Sequence, residues 1–147
     1  GGNIDQLMGH CAPLTLVVDK QKVPYVYRIG RGAGTALPNH GQNPSTTYDL
    51  SSGADEFIVG VSGEDSASAI HDLVVHCAKL TITGKPPSWT IGHGAVTTKK
   101  ADGTTSGTAF SDQLGAPQVM SEFRGRSGSW IDAIGAGEGT VTLTLIP

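Results

Sequence analysis

Short β-branched and apolar runs recur along the whole chain, each cut off by glycine, proline or a small polar cluster. "LTLVVD" (Leu14–Asp19) and "VPYVYRIG" (23–30) stand either side of "KQK" and predict a hairpin. Pro24 falls early in the second run, where a strand edge tolerates a missing donor. "GRGAGTALPNHGQNPSTT" predicts a long loop with weak β character. "DEFIVGVSG" (55–63) predicts a strand that ends in a turn. "AIHDLVVHCAKLTITG" (69–84) predicts one long or bent strand, and "KPPSWTIGHG" (85–94) a connection bounded by proline and glycine. "ADGT" within "AVTTKKADGTTSGTAF" is a hairpin signal. "PQVMSEFRGRSG" and "SWIDAIG" follow, and "GTVTLTLI" (139–146) closes the chain with period-two alternation. Helical spacing is scarce. Its best instance, "GEDSASAIHDLVVHC", is outweighed by the β-branched residues of its second half.

The reading is therefore all-β: ten to twelve short antiparallel strands in a sandwich, barrel or prism, forming a single domain over residues 1–147. Composition sharpens this. Glycine supplies 21 of 147 residues, about twice the usual share, which suits tight turns between strands. The formal charge is −3 and charged residues are 16% of the chain. No basic patch stands out, so no nucleic-acid partner is expected. Lys99-Lys100, the longest cationic run, reads as a solvated turn. No apolar run reaches the ~20 residues of a membrane helix, so no membrane insertion is expected. "NPS" at Asn43 carries the proline that blocks N-glycosylation. The two cysteines, Cys11 and Cys77, form either a disulfide or two buried thiols.

Candidate chemistry is sparse. His71, His76 and Cys77 lie close in sequence, but strand residues five apart face opposite ways, so no metal site is expected. "GRGAGT" (30–35) fits neither the Walker nor the dinucleotide spacing. "GRSGS" misses the nucleophile-elbow pattern because Gly128 falls one place early. Asp55-Glu56 and Glu64-Asp65 are adjacent, and neighbours on a strand point apart, so glycosidase chemistry is not indicated.

"GRSGSWIDAIG" (125–135) is the exception. Gly128 has no Cβ to keep a ligand ring from the backbone. The amides of Ser129 and Trp130 can aim into one concavity. Asp132 can accept from two vicinal hydroxyls through charge-assisted bonds, and Trp130 offers a flat apolar wall. These are the needs of a neutral polyol. The competing reading makes Gly128 a bulge residue, Trp130 core and Asp132 a turn cap.

"FRGRSGSWIDAIG" resembles the last block of the jacalin-related lectins, and "DEFIVGVSG", "IHDLVVHCAKLTITGKPPSWTIGHG" and "GTAF" follow the order of that family's middle strands. The resemblance covers residues 55–135 well and 1–54 loosely. It implies a β-prism of three Greek-key four-stranded antiparallel sheets about a pseudo-threefold axis. It also implies carbohydrate binding, of mannose or galactose type, without catalysis, cofactor or metal. Gly128, Ser129, Trp130 and Asp132 would form the primary pocket. "GGN" at the start would complete it through Gly1 and Gly2, although the family's longer glycine-rich opening is reduced here to "GGNIDQ". Trp89, in "GKPPSW", would flank it as a stacking platform or else be ordinary core. The partners implied are mono- or oligosaccharides and glycoconjugates, at a secreted or cell-surface location, with a homo-oligomer or fusion supplying avidity. The alternative is a β-prism attachment module of a larger secreted protein, a toxin or protease, that binds protein or a membrane surface.

Overall fold

Strand β8 organises the molecule. It spans Ile70–Lys85 and carries an unbroken apolar interior at Leu73, Val75, Cys77, Ala78 and Leu80. Such a run is stable as a strand only when both edges are paired and a face is covered. Both edges are paired. In the computed structural model, which describes residues 4–41, 48–101, 103, 107–128 and 130–144, β8 lies between β7 (Glu56–Asp65) and β9 (Ser88–Ala101). β10 (Thr108–Gln113) joins the far edge of β7, so this sheet runs β10-β7-β8-β9, antiparallel throughout.

The other ladders are two-stranded. β11 (Gln118–Ser127) pairs with β12 (Ile131–Thr140), β3 (Leu14–Asp19) with β4 (Val26–Arg31), β1 (Gln6–Leu7) with β6 (His40–Gly41), and β2 (His10–Cys11) with β5 (Thr35–Ala36). The protein is all-β, with twelve strands and no helix among the described residues. These ladders make one four-stranded and four two-stranded sheets.

Two apolar clusters hold the elements together. Val61, Ile70, Leu73, Val75, Cys77, Ala101 and Ile131 form one, with Phe110, Met120 and Phe123 packed on it. Ile29, Phe57, Leu80, Ile91, Val119 and Val141 form the other. Ile131 thus ties the β11–β12 hairpin to the central sheet.

Several local expectations need correction. β8, with 16 residues, is the long strand that residues 69–84 predict, whereas β9 runs for 14 residues rather than the ~5–6 of an ordinary strand. "KPPSWTIGHG" is not a connection: Pro86-Pro87 is a two-residue turn, and Trp89 already pairs with Gly84. The left-handed φ of Gly84, +94°, and the approach of the Ser88 carbonyl to its α-carbon require glycine there. "ADGT" does not join paired strands, because β10 pairs with β7 rather than β9. Lys99 and Lys100 lie on β9, where Lys100 Nζ is 3.3 Å from the carboxylate of buried Asp72. The closing alternation stops pairing at Thr140. Val141 and Leu143 still turn inward, and residues 145–147 lie outside the described residues. Both cysteines are free, but only Cys77 is buried; Cys11 is exposed.

Candidate carbohydrate site at the β11–β12 turn

The last pair of the hairpin is Ser127 with Ile131. Ser127 faces Ile131 and Arg126 faces Ala133, so Asp132 is the extra residue of a bulge, with no opposite number on β11. A bulge of this kind re-aims one side chain away from the regular pleat. Asp132 is half-buried, and its carboxylate takes no hydrogen bond or ion pair among the described residues. It is not sealed inside the protein.

The two glycines of "GRSG" differ sharply. A Cβ on Gly125 would sit 2.2 Å from the Ala133 carbonyl oxygen, so close pairing of β11 and β12 demands glycine there. A Cβ on Gly128 would meet nothing nearer than Asp132 Oδ2, at 3.8 Å, and its φ is not in the left-handed region. Neither backbone nor packing requires glycine at 128. The space it leaves opens beside the Asp132 carboxylate.

Backbone bonds fix the rest. The Gly128 amide donates to the Trp130 carbonyl at 2.9 Å, closing the turn. Among the described residues no backbone bond involves the Trp130 amide. Trp130 itself is 44% exposed, which excludes a core role for its indole. The Ile131 amide donates to the Ile4 carbonyl at 3.0 Å, and the Ile4 amide donates to the Ile70 carbonyl at 2.7 Å. Ile4 is therefore a clamp between the turn and the start of β8. Nothing in its sequence context signalled this, because the clamp is pure main chain. Gly1, Gly2 and Ser129 lie outside the described residues.

Trp89 is not brought to this site. Ile70, where the clamp attaches, and Gly84, the partner of Trp89, lie at opposite ends of β8, roughly 45 Å apart along the strand path. Trp89 instead packs edge-on against Tyr27 of β4, with ring centroids 6.0 Å apart at 65°.

A cavity of about 150 Å³ runs along residues 123–127 just behind the turn, closed by Leu7 and His40. Arg126 and Ser127 line it; Asp132 does not. His40 entered through the unforeseen β1–β6 pair. Three other histidines have separate partners: His71 Nε2 lies 2.9 Å from Ser66 Oγ, His76 Nε2 lies 2.8 Å from Ser62 Oγ, and His93 Nε2 lies 2.8 Å from the Gln118 carbonyl oxygen.

The geometry suits recognition of a neutral polyol: an acceptor carboxylate, a neighbouring position without a side chain, a main-chain donor and an exposed indole. Comparison of the chain with family models, with curated proteins and with solved structures finds no match.

Proposed function

We propose that this chain is a carbohydrate-binding domain of the jacalin-related type, built on that family's β-prism and acting without catalysis or metal. Its primary pocket is the Gly128–Asp132 turn. One observation carries the reading: Gly128 is a glycine that neither its φ nor its neighbours call for, and it stands beside a carboxylate with no partner among the described residues. A structural glycine would resemble Gly125, with a carbonyl against its α-carbon. An open glycine next to an unpaired acid is instead what a sugar ring needs to approach the backbone and give two hydroxyl protons to one carboxylate.

The role of each group follows. Asp132 accepts from adjacent hydroxyls, the Trp130 amide donates, and the Trp130 ring covers an apolar sugar face. Ile4 clamps the turn to β8, which lowers the cost of ordering the pocket on binding. Trp89 has no part in it. A shallow single site of this kind binds a monosaccharide on the order of millimolar, so avidity comes from several copies.

A glycan array with three proteins tests this. The parent chain is expected to bind a defined set of glycans. Asp132→Ala removes the double acceptor and abolishes that binding, with thermal unfolding unchanged. Gly128→Val fills the open space and also abolishes it without loss of fold. Binding retained by both folded variants would overturn the proposal.

A further inference from the structure

Among the described residues, six of the eleven exposed large apolar side chains fall on one hairpin: Leu14, Leu16, Val17, Val23, Tyr25 and Val26. Scattered exposed apolar residues need no account, but a concentration on one element does. The apex is the extreme case. Residues 20–26 are all exposed, and the Val23 side chain, at 92%, is almost wholly in solvent.

Charge is segregated with it. Residues 14–31 carry Lys20, Lys22, Arg28 and Arg31 against Asp19 alone, a net of +3 within a chain of −3, so the remainder carries −6. Lys20 and Lys22 both precede Val23 and form no ion pair among the described residues. Arg28 stands 3.9 Å from Asp55, with both side chains largely in solvent.

We propose that the apex of the β3–β4 hairpin docks on a membrane surface rich in anionic lipid, at head-group depth and without spanning it. Val23 and Tyr25 enter the interfacial layer, where an aromatic ring with a polar tip is well placed. Lys20 and Lys22 meet the anionic head groups. The charge sets the occupant. A second copy meeting this surface face to face would set Lys20 and Lys22 against their own counterparts. An acidic protein would satisfy the charge, but a single turn whose residues 20–26 all face solvent offers little area to a folded partner, whereas a fluid lipid layer closes around it.

Sedimentation with lipid vesicles tests the proposal in the absence of any glycan. The intact chain is expected to bind phosphatidylcholine vesicles containing phosphatidylserine, to bind pure phosphatidylcholine far less, and to release at high salt. Lys20→Glu with Lys22→Glu is expected to weaken binding by about tenfold or more, since each cation near such a surface contributes about fivefold. Val23→Ser with Tyr25→Ser is expected to weaken it without changing the charge. All four positions are exposed, and unchanged thermal unfolding checks the fold; if a variant melts early, the salt release of the parent chain decides. Failure of the parent chain to bind the anionic vesicles would overturn the proposal, as would undiminished binding by the charge-reversed variant. Tighter binding to a polyglutamate peptide than to the vesicles would overturn it in favour of an acidic protein partner.

Discussion

Strands β3 and β8 are both rich in β-branched and aliphatic residues, yet they meet opposite fates. In β8, Leu73 is 1% exposed and Val75 is equally buried. In β3, Leu16 is 49% exposed, and Leu14 and Val17 are also in solvent. Composition does not separate them; neighbours do. β8 has a strand on each edge and a face covered by Ile131, Met120 and Phe123. β3 has β4 on one edge only, and only the β4 side reaches the core, through Ile29. A cavity of about 1070 Å³ lined by Leu7, Leu37, Phe57 and Val75 also separates part of the N-terminal segment from the central sheet. An apolar run specifies that a strand forms, while cover is a property of what packs on it.

The largest effect should come from truncating the two strands in parallel. Leu73→Ala leaves a cavity in a fully covered core and should cost about 2–5 kcal/mol. Leu16→Ala removes a side chain already half in solvent and should cost well under ~1 kcal/mol. Chemical denaturation of both variants checks this; equal losses would show that β3 is as well packed as β8.

Glycines give the next contrast. A Cβ on Gly63 of β7 would lie 1.9 Å from the Asp72 carbonyl oxygen on β8, so Gly63→Ala must push two strands apart. A loss of about 1–3 kcal/mol is expected. Gly34, in the N-terminal region, has nothing closer than 3.7 Å, and Gly34→Ala should change stability by less than ~0.5 kcal/mol. Matched thermal melts decide between them.

The smallest perturbation is chemical. Burial, with Glu56 nearby as a second cause, pushes the Cys77 thiol above its usual range. Cys11 is exposed. Since the thiolate is the reactive form, a thiol-specific alkylating agent should modify Cys11 in the native chain and reach Cys77 only on unfolding. Mass spectrometry of the native and denatured protein reads this directly. Equal rates in the native state would mean that the central sheet opens as readily as the N-terminal strands.

Strand identity was largely legible in the sequence, because β-branched runs bounded by turn residues carry it locally. The run "LTLVVD" coincides with β3 to the residue, and the runs at 55–63 and 69–84 nearly coincide with β7 and β8. Strand partnership was legible only where a short turn carries it, in the β3–β4 hairpin either side of "KQK". "ADGT" has the chemistry of a hairpin, yet β10 pairs with β7, a long-range choice that turn residues do not encode. Trp89 illustrates the same limit. Its place in "KPPSW" suggested a flank of the pocket, but the length of β8 carries it to the far end, against Tyr27. At the site, the residue types of Gly128, Trp130 and Asp132 were readable. The bulge that frees Asp132 and the Ile4 clamp were not, because both arise from backbone register rather than side-chain identity.

The most direct test of the central claim is an amide and indole NMR titration with mannose and with galactose. The proposed site predicts shifts at Gly128, Trp130, Ile131 and Asp132 with one of the two sugars, saturating on the order of millimolar, and an unmoved Trp89 indole. Shifts centred on Trp89, or a Gly128–Asp132 turn that stays unperturbed by both sugars, would contradict it.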